Sequence, residues 1–188
     1  MIRILLPRGR RLVLTIVSCL AVLATGAGAA ALHHRGTRPA ATSASRPGLI
    51  AVRTGDAYPL AAGRGRLTLV SFLTVQPDTA ASPSRSQAVV LTSLATQYGA
   101  RGLRVAIVAA DPASVPQETL LNTSYDWGLE SVALLQDPRH RAARKYAVTA
   151  SPTSFLIGGT GQVLARWDGY LLTAKAAAAI TSHLDSRS

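Results

Sequence analysis

The side chains able to do nucleophilic, acid–base or metal chemistry are few in this chain, and they are widely separated. There is one cysteine, Cys19, and it lies inside the uncharged run Leu12 to Leu32, so residues 33–188 contain no thiol. A thiolate is the nucleophile of disulfide exchange, and that chemistry therefore has no nucleophile in the body of the chain. The most suggestive hydroxyls stand in Ala81-Ser82-Pro83-Ser84-Arg85-Ser86-Gln87. As a nucleophile Ser84 needs a positioned base, and the choices are His140, His183 and carboxylates such as Asp78 and Asp111. His140 belongs to Asp137-Pro138-Arg139-His140-Arg141, a different element. The same segment also reads as a capping box, with Ser84 at the N-cap and Gln87 at N3. A third reading uses the free N–H groups of a helix N-terminus, assisted by Arg85, to hold an anion or carboxylate. His33-His34 has no Asp, Glu, Cys or further His nearby to complete a coordination shell, so no metal and no cofactor are expected.

The charge balance is basic, with 20 Lys+Arg against 9 Asp+Glu. Arg3, Arg8, Arg10 and Arg11 precede the apolar run, which leaves 16 basic against 9 acidic side chains from residue 33 onward, a net of +7. Such a balance suits anionic partners. The arginines are nevertheless scattered, apart from Arg139, Arg141 and Arg144, and the aromatics that would stack bases are few. No nucleic-acid motif is present. The basic side chains read as a solvated surface, and no nucleic-acid partner is expected.

Export is written at the N-terminus. Arg8-Gly9-Arg10-Arg11 precedes the 21 uncharged residues Leu12–Leu32, long enough to cross a bilayer as a helix. The positive flank would keep the N-terminus cytoplasmic and send the rest across. Ala27-Gly28-Ala29 and Ala29-Ala30-Ala31 also offer signal-peptidase sites, so a retained anchor at residues 12–32 and a cleaved signal both stand. Ile16-Val17-Ser18-Cys19 loosely fits a lipoprotein box, but the apolar run continues well past the cysteine, and an ordinary membrane-embedded cysteine is the simpler reading. Residues 33–48 are small, polar and proline-containing, a linker unable to bury a core face. The expected organisation is a signal or anchor at 1–32, a linker at 33–48 and one domain at 49–188, large enough for a real core.

Within that domain the pattern alternates. Leu49–Arg53 and Ala57–Leu60 predict a short entry hairpin around Thr54-Gly55-Asp56. Leu67–Leu73, Leu103–Ala109 and Ser131–Gln136 are apolar runs of the kind found in buried parallel strands. Between them, Leu91, Leu94, Ala95 and Tyr98 form the apolar face of one helix, and Pro116 opens a second that runs to about Trp127, with Leu120 and Leu121 inward. Pro138–Tyr146 predicts a short basic helix, with Lys145 at its C-terminal end and Tyr146 as a core ring. Thr153–Ile157 and Gln162–Arg166 form a hairpin through Gly158–Gly161, and Thr173–Leu184 a closing helix. Asp111, at a strand end, either faces a ligand or caps its own turn with Pro112. Trp127 and Trp167 line a groove or, more simply, pack. The fold class is α/β, a mixed central sheet flanked by helices.

This order resembles the membrane-tethered thioredoxin-like proteins of the TlpA/ResA (redoxin) type over residues 49–186. Three stretches carry the resemblance: Gly65-Arg-Leu-Thr-Leu-Val-Ser-Phe72, Leu91 to Val105, and Lys145-Tyr-Ala-Val148-Thr-Ala-Ser-Pro152-Thr-Ser-Phe-Leu-Ile157. The last is the most specific. The resemblance implies a thioredoxin-like fold and a cis Ser151-Pro152 bond, with the backbone of residue 151 presented beside the helix end that normally carries the thiols. Counting back from Leu91 and Leu94, that Cys-x-x-Cys falls on Ala81-Ser82-Pro83-Ser84, and Arg85 and Gln87 match the residues that follow it. Counting forward from Phe72, it falls on Pro77-Asp78-Thr79-Ala80. Neither placement yields a thiol, the loop is longer than the family's, and Leu73 replaces its tryptophan.

The resemblance therefore implies the fold without the family's dithiol catalysis. The leading expectation is an exported binding or accessory module that takes an extended peptide or envelope protein. Arg85, Ser151, Pro152 and Thr153 would line its groove, and residues 81–84 would be a degenerate active site. The alternatives are an oxidoreductase whose thiols come from a partner, and a purely structural envelope domain.

Overall fold

The computed structural model describes residues 48–76, 78, 79 and 82–186. The apolar segment with Cys19, the linker to residue 47, and Pro77, Ala80, Ala81, Arg187 and Ser188 lie outside the described residues. Among the described residues, no helix is long and apolar enough to cross a membrane.

The chain runs β1 (Ile50–Ala51), β2 (Leu67–Leu73), α1 (Pro83–Tyr98), β3 (Leu103–Ala109), α2 (Gln117–Asp126), β4 (Ala133–Gln136), α3 (Arg141–Lys145), β5 (Thr153–Gly158), β6 (Val163–Asp168) and α4 (Thr173–Asp185). The strands form one sheet in the order β1-β4-β3-β2-β5-β6. β2, β3 and β4 are parallel, while β5 runs antiparallel to β2, β6 to β5 and β1 to β4. All seven residues of β2 are buried, as befits a strand covered on both faces.

Two cores result from alternation along these strands. Leu69, Leu73, Val105, Ile107 and Leu156 pack under α1 (Leu91, Leu94), α2 (Leu120) and α4 (Ala176, Ile180). On the opposite face Val70, Phe72, Val108, Phe155 and Ile157 pack with Ala142 of α3. Phe72, Phe155 and Tyr146 form an aromatic trio there, the two phenylalanines edge to face at 6.0 Å between ring centres, a favoured arrangement. Burial pushes the Tyr146 phenol above its usual range. On the first face, the directly opposed Ser71 and Ser154 share a hydrogen bond of 2.8 Å between their hydroxyls, both fully buried.

Three elements are shorter than their patterns predict. The entry hairpin reduces to β1 and a single bridge from Ile50 to Ala57, because β1 pairs with β4 instead. The 51–56 turn is closed by hydrogen bonds from the Ala51 N–H to Asp56 O and from the Gly55 N–H to Ala51 O, and Pro59 has no N–H to extend a ladder. β4 starts at Ala133 rather than Ser131. α3 starts at Arg141, not Pro138, because His140 adopts a left-handed conformation with φ of 48°. The Asp137 carboxylate accepts from the N–H groups of Arg141 and Ala143, 2.9 Å each, and so caps the helix from outside it.

The β5–β6 turn rests on backbone. A Cβ on Gly159 would fall 2.0 Å from the carbonyl oxygen of Gly63. Gly159→Ala is expected to cost about 1 kcal/mol in urea unfolding, because the exposed turn must shift to relieve the overlap.

Candidate functional site

The sheet edge where β2 and β3 end and β5 begins is built by long-range hydrogen bonds. The Thr74 N–H donates to Ser151 Oγ at 2.8 Å. The next two N–H groups, of Val75 and Gln76, both donate to the Asp111 carboxylate, at 2.9 Å (Oδ2) and 2.8 Å (Oδ1). Gln76 Nε2 continues the chain of contacts to Thr123 Oγ1 in α2, 2.9 Å away. Val75 is 1% exposed. The loop after β2 thus leaves toward α2, with its main chain held at residues 74–76.

Asp111 is 5% exposed. The sequence leaves it either facing a ligand or capping its own turn with Pro112; the structure gives its carboxylate another task. Its two oxygens serve the preceding loop, 35 and 36 residues upstream.

The start of α1 differs from the expected capping box. Helix geometry begins at Pro83, which makes Ser82 the N-cap, and the Ser82 side chain makes no capping hydrogen bond. Ser84 lies inside the first turn and is 6% exposed. Proline at the first helical position is the physical reason, since its fixed φ suits that place and it has no N–H to satisfy. The proposed N-cap role of Ser84 is therefore corrected, and so is its availability to a partner's carboxylate. The two histidines that could act as its base stand elsewhere: His183 Nδ1 sits 2.9 Å from Ala179 O within α4, and His140 lines a cavity on the α3 side of the sheet.

Gln87 does not reach back to the N-cap. Fully buried, its Oε1 accepts from the Leu171 N–H at 2.7 Å, and its Nε2 lies 3.4 Å from the Leu171 carbonyl. The sequence held a signal for this. Gln87 shares the helical spacing of Leu91, Leu94 and Tyr98, so it belongs to the face that is buried.

Arg85 is also engaged. Its Nη2 donates to Asp126 O at the end of α2 at 3.0 Å, and its Nη1 lies 3.5 Å from Asp78 Oδ2. Asp78 Oδ1 is buried without a hydrogen-bond partner among the described residues. Ala81, the first of the four degenerate positions, lies outside the described residues.

The Ser151-Pro152 bond is cis, as the strand motif implies. Ser151 is exposed, Pro152 half-buried and Thr153 buried. Thr153 Oγ1 donates to Ala150 O at 2.7 Å and lies 3.4 Å from Asp168 Oδ1. The Gly169 N–H donates to Pro152 O at 2.8 Å. Leu171 binds Gln87, and the Tyr170 hydroxyl reaches Ser86 O at 3.5 Å. The 169–171 connection thereby joins Pro152 to the first turns of α1. Beside Ser151 opens a cavity of about 420 Å³ lined by Phe72, Thr74, Val108, His140 and Arg144. Among the described residues no group of three His, Cys, Asp or Glu side chains is placed to hold a metal ion.

The loop before Ser151 is fixed by a side chain that the sequence did not single out for it. Arg166 donates to Tyr146 O at 2.9 Å and Ala147 O at 3.2 Å while paired with Asp168 at 2.8 Å. Arg166 and Asp168 are two apart on one strand, hence on one face. Their hydrogen bond holds the Asp168 carboxyl below its usual range. The pairing is thus present above the ordinary aspartate pKa and is lost as pH falls through the lowered one. In an NMR titration Asp168 is expected to titrate below a typical aspartate, and to move back toward it in Arg166→Ala.

A parallel β2-β3-β4 core, an antiparallel β5-β6 hairpin entered through a cis-proline and a long helix after β2 are now in place. The fold is thioredoxin-like. The chain is similar to a thiol-disulfide oxidoreductase from Bacteroides fragilis (22% identity, TM-score 0.55, covering 69% of this chain and 93% of that one). It is also similar to the exposed lipoprotein thioredoxin of Streptococcus pneumoniae (17% identity, TM-score 0.57, 73% and 96%), and to an uncharacterized conserved protein from Geobacillus kaustophilus (16% identity, TM-score 0.62, 74% and 79%). No protein-family model and no curated protein matches the chain. At these identities the likeness is one of fold. The thioredoxin-like domain carries no thiol in residues 33–188, and what its edge does must be argued from the residues there.

Proposed function

We propose that this protein is an exported, membrane-anchored thioredoxin-like binding module that holds an extended polypeptide against the strand edge at Ser151–Thr153 without dithiol chemistry. The observation that carries this reading is the Ser151 main chain. The residue is exposed and its main chain stands at the cis-proline, outside the β5 ladder, which pairs with β2 only from Thr153 onward. β5 itself is paired on both sides, by β2 and β6, and the unladdered residue before it is where a peptide would pair by main-chain hydrogen bonding, which requires no cysteine. The loop after β2 touches Ser151 through the Thr74 N–H and Ser151 Oγ, and beyond that point its N–H groups at Val75 and Gln76 turn toward Asp111. Tyr170, 47% exposed, offers the adjoining apolar contact.

Export and anchoring rest on residues 1–32 and are tested with the same full-length chain. A photo-crosslinking residue replaces Ser151, Tyr170 or, as a control on the outer side of α1, Ser93, and each form is expressed in an envelope. Adducts with polypeptides are expected from positions 151 and 170 and not from 93. Equal labelling at all three, or none, would reject the groove. Insulin-disulfide reduction with dithiothreitol as electron donor that needs both the chain and an added envelope fraction would instead favour an oxidoreductase role with a partner's thiols.

A further inference from the structure

We propose that α3 and the turn before it form a docking face for an anionic lipid bilayer. This surface adjoins the cavity beside Ser151, which Arg144 also lines, but the proposal does not depend on the peptide-binding reading. Arg139, Arg141, Arg144 and Lys145 are all exposed within seven residues of chain. None of them is ion-paired among the described residues, whose salt bridges are Arg85–Asp78, Arg101–Asp185 and Arg166–Asp168. The acid within this segment, Asp137, is 6% exposed and spends both oxygens on the N–H groups of Arg141 and Ala143. Asp168, at the Tyr146 end, is neutralised by Arg166. Among the described residues, four cationic side chains therefore face solvent without an ion-pair partner, and the exposed acid in the loop that shares a groove with Arg139 and Arg141 is Asp56, between Gly55 and Ala57.

The occupant is set by where the chain enters. Gly48, Leu49 and Ile50, the first described residues, line one groove of about 510 Å³ together with Arg139 and Arg141. Upstream, residues 33–48 add Arg35, Arg38 and Arg46 and contain no acid. A random-coil chain of that length has a root-mean-square reach of about 20 Å. With residues 12–32 in a bilayer, the face nearest the tether is the basic one, and it is held at high effective concentration near the headgroups. Each Lys or Arg close to an anionic surface favours the docked state about fivefold, an effect lost within a Debye length or in concentrated salt. Among the described residues, α1, across the sheet, carries a single basic side chain, Arg85.

The test uses the full-length chain carrying Cys19→Ser and one new cysteine for a fluorophore. The cysteine is placed at Thr149, beside α3, or at Ser93, on α1 across the sheet. Each is reconstituted into vesicles of phosphatidylcholine alone or with phosphatidylglycerol, both containing a headgroup quencher. Quenching at position 149 is expected to exceed that at 93 severalfold on the anionic vesicles, to equalise on the neutral ones, and to be reversed by concentrated sodium chloride. R139Q/R141Q/R144Q alters exposed side chains and is expected to keep the melting temperature. It should lower the docked-to-undocked ratio about a hundredfold. Equal quenching at both positions on anionic vesicles, or quenching at 149 that survives salt or the triple substitution, would overturn the proposal. Docking on neutral vesicles as strong as on anionic ones would show that the lipid charge is not what the face binds, and would overturn it equally. The crosslinking at Ser151 reads other residues, so each proposal can fail alone.

Discussion

Asp111→Ala is expected to destabilise the protein by about 3 kcal/mol, measured as a fall in the urea midpoint at unchanged slope. The reason is a local accounting of donors. The N–H groups of Val75 and Gln76 have the Asp111 carboxylate as their acceptor, and Val75 is 1% exposed. Removing the acceptor strands a buried N–H outright, at about 1–3 kcal/mol, and a second that is partly reachable by water. Asp111→Asn keeps one acceptor oxygen but turns an NH2 toward a donor, and is expected to lose roughly half as much. Amide hydrogen exchange gives the local reading. Protection at Val75 and Gln76 should vanish in Asp111→Ala while β3 retains its own. If exchange at 75 and 76 is unchanged, the carboxylate is not what holds the loop.

Gln87→Leu is expected to cost about 2 kcal/mol despite conserving volume and adding apolar surface. Gln87 is fully buried and closes a two-point contact with the main chain of Leu171. Leucine leaves the Leu171 N–H without its acceptor, the larger loss, since the 3.4 Å contact to the carbonyl is the weaker of the two. Gln87→Glu should be worse at neutral pH, because it buries a charge that also faces a carbonyl oxygen. Burial would raise that carboxyl's pKa in the folded state. Its penalty is therefore absent below the ordinary glutamate value of about 4.3 and grows as pH rises above it. Gln87→Glu approaching the wild-type midpoint in acid, with Gln87→Leu showing no such recovery, would identify the hydrogen bond rather than the shape as what Gln87 supplies.

These two residues show where the sequence is legible and where it is not. β2, β3 and β5 follow from apolar runs, and the inner face of α1 follows from Leu91, Leu94 and Tyr98, because those signals are local and periodic. The cis-proline follows from a motif spanning a single helix end and strand. Asp111 and Gln87 act across 36 and 84 residues, and no spacing rule reaches that far. Nearby chemistry therefore invited local readings: a turn cap for Asp111, a capping box for Ser84 and Gln87. Pro83 moved the helix start by two residues, and that was enough to turn Ser84 from a cap into a buried first-turn residue. Arg85 looked free to bind an anion and is instead bound to Asp126 O and Asp78.

The buried Ser71–Ser154 pair decides how β2 and β5 align. β2 is buried on both faces, so a slipped pairing finds apolar neighbours almost anywhere along it. A shift of two residues is the hardest error to exclude, since it returns every side chain to its original face. In one such shift Ser71 would oppose Leu156, and Ser154 would oppose Leu73. Two hydroxyls that now satisfy each other would then be orphaned in apolar surroundings, at about 1–3 kcal/mol apiece. The pair thus works as a registration mark. It adds little to the correct alignment and penalises the neighbouring one, which keeps Pro152 and the Ser151 edge at a fixed height beside the end of β2.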